Sequence, residues 1–289
     1  HYPLRRQRQM CIRDRAMGVP KRLTSPKSKN KRALVAIAHA DDLLLFVGGT
    51  ICALVKDGWQ IAVVRATDDR WDSYQLNEEK TIAANKTEFD QAMSAIGVNK
   101  LYELDLATDQ LGDYSEVELR TQLIRVIREF KPYLTITFDP DSYLYEDNED
   151  HKLVAKAMAE ANWAAGFDKH PNSGDKQLPP HLPVAKWYFG RRVAEPTHYF
   201  DVTKHLGEAI SAAKYHKTML NNMARQLELK LQSMEDDTNI KLNLSDQLDK
   251  FATKIMKNSR INQVKSVEYV EIFRVIDDSK LILKLVKEK

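Results

Sequence analysis

Two cysteines, Cys11 and Cys52, are all that the 289 residues contain. That excludes a disulfide scaffold and a cysteine-rich zinc finger, and it makes a reducing, cytoplasmic setting the expectation. No apolar run reaches the ~18 residues of a transmembrane helix. Nor does a charged head followed by an apolar stretch of about 7–15 residues open the chain. Neither a membrane span nor a secretory signal is expected. Internal repeats are also missing, and the length suits one large domain or two small ones with a substantial core.

A strong net charge is absent too, but the total of +3 hides an asymmetry. Residues 1–32 hold eleven Lys/Arg and one Asp, whereas 33–289 hold 33 basic and 40 acidic side chains. A basic arm of this kind is a common nucleic-acid or membrane-surface signal. Here its origin argues otherwise. Gln7 to Asp14 back-translates to CAG AGA CAG ATG TGT ATA AGA GAC, which resembles a transposon-end adapter used in sequencing libraries. Residues 1–16 are therefore read as an assembly artefact, with native sequence starting near Met17. The rest of the arm, Lys21 to Arg32, is expected to be a disordered tail, and no nucleic-acid partner is expected.

From Ala33 onward strand-like and helix-like stretches alternate. Ala33 to Ala38 is six apolar residues without polar alternation, which reads as a strand buried on both faces of a parallel sheet. Strands are also expected at Gln60 to Ala66, Lys100 to Leu104, Tyr133 to Phe138, Lys186 to Gly190 and His198 to Val202. Helices are expected at Leu44 to Lys56, Glu78 to Ile96, Ser115 to Phe130, His151 to Ala165 and Lys204 to Met234. Ser115 with Glu118 forms a capping box, and Gly97 is a helix stop. A marginal helix near Asp246 to Lys257 and a β-like run from Val267 to Ile276 close the chain. This rhythm predicts an α/β fold of three layers, a mostly parallel Rossmann-like sheet between helices. Residues 33–235 form the main domain, and 236–289 a helix-and-strand extension packed on it. The long helix Lys204 to Met234 is suited to a homo-oligomer interface.

The chemistry gathers at strand ends, where open α/β sheets place their ligand sites. His39, Asp41 and Asp42 follow the first strand directly, and Gly48-Gly49-Thr50 follows where a backbone must approach a neighbour closely. Thr67-Asp68-Asp69-Arg70 follows the second. Tyr143 to His151, an acidic and aromatic run, follows the strand ending at Phe138. If that strand neighbours the first, His151 returns beside His39 and Asp42. Two His and one Asp with an open position are the ligand count of a catalytic zinc site, and a spare carboxylate would serve as base.

Ala38-His39-Ala40-Asp41-Asp42 with Gly48-Gly49-Thr50, Thr67-Asp68-Asp69 and Glu149-Asp150-His151 resembles the LmbE-like (PIG-L) family of zinc-dependent N-acetyl-sugar deacetylases, over roughly Ala33 to Met219. The resemblance implies one Zn2+ per chain held by His39, Asp42 and His151, with Asp41 as the base that activates water against an acetamide. Asp150 is then the partner that orients a ligand or a proton carrier. Arg70, with Asp68 and Tyr145, is expected to meet a small N-acetyl-sugar substrate. Three departures stand out. Ala40 replaces the family's usual Pro, which is expected to loosen the turn. Leu43 replaces an acidic residue. Asn148 stands where most members have a His thought to stabilise the transition state. Asn can donate a hydrogen bond there but supplies no proton. That substitution keeps one rival open, a non-catalytic carbohydrate- or partner-binding protein with a degenerate site; a second rival is a hydrolase of another amide or ester using the same site.

Overall fold

The computed structural model describes residues 20–171, 176–234, 247–260 and 267–287. The adapter-like stretch lies outside them. The apolar run after Arg32 becomes a central strand of one eight-stranded sheet. In chain order the strands are β1 (Lys21–Leu23), β2 (Arg32–Ile37), β3 (Gln60–Thr67), β4 (Lys100–Leu106), β5 (Leu134–Phe138), β6 (Ala185–Phe189), β7 (His198–Asp201) and β8 (Val270–Asp277). They lie side by side as β1-β7-β8-β6-β5-β2-β3-β4. Among the described residues every pairing is parallel except those of β8, which runs antiparallel to β6 and β7.

The helices are α1 (Gly48–Lys56), α2 (Glu78–Ala95), α3 (Glu116–Phe130), α4 (Glu149–Ala164), α5 (Leu206–Ala213), α6 (Lys217–Ser233), α7 (Leu248–Asn258) and α8 (Ser279–Lys287). Side chains of β2 alternate between two cores, as a strand buried on both faces must. Ala33, Val35 and Ile37 join Ile51, Phe89 and Ala209, while Leu34, Ala36 and Ala38 join Leu123, Ile127 and Met158. The expected three-layer α/β architecture is thus present. Its boundaries are set by local chemistry. Asn77 caps α2 by accepting from Lys80 N at 3.0 Å, Gly97 follows at φ +77°, and Ser115 caps α3 by accepting from Glu118 N at 3.3 Å.

Gly49 has the close approach expected of it. A Cβ there would lie 2.6 Å from Val202 Cβ and 2.8 Å from its Cγ1. Gly49→Ala is therefore expected to overpack this contact and lower stability by about 1–3 kcal/mol, read as a lower thermal midpoint with unchanged secondary structure.

Two expectations are corrected. The stretch from Lys21 to Arg32 does not stand free as a tail: Lys21–Leu23 pairs with β7, Lys21 N donates to Thr197 O at 2.9 Å, and Leu23 packs on the core. The expected helix from Lys204 to Met234 is two helices, broken at Lys214–His216. The break is held from outside: Glu88 on α2 accepts from Thr218 N and Oγ1, both at 2.9 Å. A carboxylate at a helix N-terminus satisfies its orphan N–H groups, so α6 starts afresh there. In the C-terminal extension β8 enters the sheet, whereas α8 leaves Leu285 and Val286 about 70% exposed.

Candidate active site

Asp42 ties the turn after β2. Its Oδ2 accepts from His39 N at 2.7 Å and Ala38 N at 3.1 Å, which leaves Oδ1 facing His151 Nε2 at 3.2 Å. His39 Nδ1 lies 3.2 Å from the same Nε2. Pairing of β2 with β5 thus brings His151, at the start of α4, beside the end of β2. His151 is fixed by packing as well, stacked on Phe138 with centroids 4.0 Å apart. All three side chains are buried, and their donor atoms lie within 4.8 Å of one another.

A second group, His39, Asp109 and Asp150, satisfies the same distance among the described residues. It is the poorer cation site because Asp150 is already spent. Its Oδ2 accepts from Asp109 N at 2.7 Å and lies 3.3 Å from His39 Nε2, while Oδ1 accepts from Leu111 N at 3.4 Å. Asp150 therefore holds the outer nitrogen of His39, leaving Nδ1 to face Asp42 and His151.

Glu146 stands behind His151 at ion-pair distance, although His151 Nδ1 lacks the hydrogen bond that His39 Nε2 makes to Asp150. Glu146 Oε2 lies 3.2 Å from His151 Nδ1, and Oε1 accepts from Arg191 Nε at 2.9 Å and Asn148 N at 3.0 Å. Burial alone would raise this carboxyl, but His151 and Arg191 bring it down to about 2. Sequence reasoning gave Glu146 and Arg191 no role. The available signal was a carboxylate five positions before a ligand-type His, and for Arg191, in the loop after β6, there was none. Carboxylates behind metal-binding imidazoles fix ring orientation, and changing them typically weakens metal binding 10–100-fold. Glu146→Gln is expected to weaken binding of a divalent metal at this site by that amount in a chelator competition. Unchanged affinity would show that Glu146 does not orient His151.

Electrostatics separate the two adjacent carboxyls. Burial and the neighbouring Asp42 push Asp41 up to about 8. For Asp42 burial acts in the same direction, yet the His151 and His39 imidazoles hold it well below the usual carboxylate range. The same pairing raises His151 to about 9 against its burial.

The loop after β3 supports the floor. Thr67 N and Oγ1 both donate to Ala38 O, and Asp69 Oδ2 accepts from Ala40 N at 3.2 Å and from buried Arg65 at 2.7 Å. Ala40 is tied into the turn through its backbone. Its N–H makes a bond that the proline of the family pattern has no hydrogen to make. Asp68 and Arg70 lie on this loop but engage each other. Arg70 Nη2 donates to Asp68 Oδ2 at 2.6 Å and Nη1 reaches Glu78 at 3.0 Å, and neither residue lines the large cavity.

That cavity measures about 830 Å³ and opens over His39, Asp41, Asp42, Asn148 and His151. Asn148 caps α4, its Oδ1 accepting from His151 N at 3.2 Å, so its amide NH2 remains as a donor. Tyr145 sits outside this cavity, in a shallow depression behind His151, with Arg192 over its ring at 4.5 Å. The donor set suits a borderline divalent cation: two imidazole nitrogens, one carboxylate oxygen, and an opening on one side.

Comparison with known proteins agrees with this geometry. Residues 34–162 match PIG-L, described as GlcNAc-PI de-N-acetylase. Diacetylchitobiose deacetylase of Thermococcus kodakarensis is 24% identical over 203 residues, 68% of this chain and 73% of that protein. The Mycobacterium leprae 1D-myo-inositol 2-acetamido-2-deoxy-alpha-D-glucopyranoside deacetylase is 28% identical over 167 residues, but the match spans only about half of each protein, 49% and 54%. Among solved structures, N,N'-diacetylchitobiose deacetylase from Pyrococcus horikoshii aligns at TM-score 0.67 and 20% identity, covering 96% of this chain and 95% of that one. The 4-carboxy-2-hydroxymuconate hydratase of Pseudomonas putida aligns at 0.56 and 17%, covering 85% and 96%. At such identities the structures speak for the fold alone, and a hydratase among them means that the reaction must be argued from the site. Over residues 34–162, somewhat under half of its length, the chain is thus similar to the PIG-L family of de-N-acetylases.

Proposed function

We propose that the chain is a zinc-dependent deacetylase that removes the acetyl group from an N-acetylglucosamine-type sugar or conjugate. The observation that carries this reading is the convergence of His39 Nδ1, His151 Nε2 and Asp42 Oδ1 on one point beside Asp41, beneath an open cavity. His39, Asp42 and His151 would hold the ion. When bound, it supplies Lewis acidity, acidifying water and polarising the acetamide carbonyl. Every other step falls to the chain's own residues. Asp41 takes the proton of the attacking water, a contribution of about 10²–10⁴ in rate. The Asn148 amide donates to the acetamide oxygen as negative charge develops there. The acetamide C–N bond breaks, acetate leaves, and the proton held on Asp41 passes to the departing amine. A cytoplasmic setting is part of this reading and rests on cysteine usage. No helix among the described residues is long and apolar enough to cross a membrane.

The test is product analysis on zinc-loaded full-length chain given N-acetylglucosamine and N,N'-diacetylchitobiose. Acetate and free amine should appear in equal amounts, stop on chelation, and resume when zinc is restored. Zinc-loaded protein that binds these sugars but never releases acetate would leave the carbohydrate-binding reading instead.

A further inference from the structure

The parallel strands finish at the His–Asp floor, so the opposite end of the sheet is where β5 and β6 begin and where β8, antiparallel to β6, finishes. Helix α8 leaves from that end: Asp278 N donates to Val184 O at 3.2 Å, beside the first residue of β6. Its residues sort apolar from basic. Leu281, Ile282, Leu285 and Val286 recur at i, i+1, i+4 and i+5, the spacing of one helix face, while Lys280 and Lys284 share the other side. All four apolar side chains are 46–70% exposed. A helix that packed on its own chain would have buried that face.

Exposed aromatic rings share this end. Helix α4 starts beside His151 and finishes here, where Ala165 O accepts from His181 N at 3.0 Å and His181 Nε2 lies 2.7 Å from Pro132 O, just before β5. Trp163 and Phe167 stand 62% and 43% exposed, their ring centroids 4.6 Å apart. A basic amphipathic helix accompanied by exposed Trp and Phe suits a membrane–water interface. Further cations gather here. Lys29 and Lys131 are both exposed, and Asn30 Nδ2 donates to Lys131 O at 3.2 Å. Three acidic residues of the same end are already engaged: Asp277 with Ser279 N at 2.9 Å, Asp278 with Lys186 at 3.0 Å and Glu129 with Lys100 at 3.6 Å.

We propose that this end of the sheet docks on an anionic lipid bilayer, with the apolar face of α8 in the headgroup region and Lys280, Lys284 and Lys131 against lipid phosphates. A second copy of the chain is a poorer occupant. Nine helical residues are about 13 Å long and ~10 Å across, a contact face far smaller than the ~800 Å² each partner of a stable dimer buries. A bilayer needs no such area, because attraction of lysines to anionic lipid adds to the burial of one apolar helix face. The cavity over His39, Asp42 and His151 then faces water, away from the lipid.

Sedimentation of the full-length chain with vesicles tests this. Vesicles of equal phosphatidylglycerol and phosphatidylcholine should bind it at least about tenfold tighter than phosphatidylcholine alone, and the difference should shrink as salt rises to about 0.5 M. Lys280→Gln with Lys284→Gln should weaken the binding about twentyfold, each lysine near the surface being worth about fivefold. Leu281→Asp with Leu285→Asp should weaken it at least as far. Both leucines are exposed, so the thermal midpoint of that variant should stay near the parent's. No binding to the anionic vesicles, equal binding to both compositions, or unchanged binding by either double variant would each overturn the proposal. So would a dimeric parent that becomes monomeric on Leu281→Asp with Leu285→Asp, since a second copy would then cover the face. None of these readouts depends on bound metal or on acetate release.

Discussion

Asp41→Asn is expected to lower kcat for acetate release by about 10²–10⁴, the usual worth of a positioned base. Metal content should stay that of the parent. The two effects separate because Asp41 offers no atom to the converging donor set, which comes from His39, Asp42 and His151. Asparagine keeps the shape of the side chain and removes only its capacity to take a proton. Burial beside Asp42 already disfavours charge at this position, so the neutral replacement should fold at least as stably as the parent. Steady-state kinetics with metal analysis on the same preparation checks both halves. A variant within tenfold of the parent rate would remove Asp41 from the chemistry.

His151→Ala should have the second large effect, loss of the metal itself. It deletes one of three donors, a heavier change than the 10–100-fold typical when an outer partner is altered. Activity should fall below detection at stoichiometric zinc. The ring also fills the space over Phe138 at 4.0 Å and faces Asp42 and Glu146. Some stability is therefore expected to go with it, and a thermal melt separates that from the binding defect. A folded variant that keeps tight zinc would relocate the site.

Much of this arrangement is legible in the residues. Ala33 to Ala38 reads as a doubly buried strand because no polar residue interrupts it, and His39, Asp41 and Asp42 follow at the strand end where ligands collect. The unread features depend on long-range contacts. Lys214 to His216 holds no Gly or Pro to mark the break; it is held by Glu88, some 130 positions earlier in the chain. Arg70 looks free to meet a substrate, but Asp68 two residues away and Glu78 on α2 take up its guanidinium. Glu146 acquires its place only when the loop after β6 brings Arg191 against it. One wall of the cavity is likewise assembled from α6, α7 and β8, whose residues carry no local motif.

The proposed deacetylase activity requires one bound metal ion, held by His39, Asp42 and His151. Zinc titrated into chelator-stripped full-length protein, with acetate release followed at each addition, tests it most directly. Activity should rise in proportion to zinc and level off at one ion per chain. Protein that takes up no zinc, or saturates with zinc and still releases no acetate, would contradict the account.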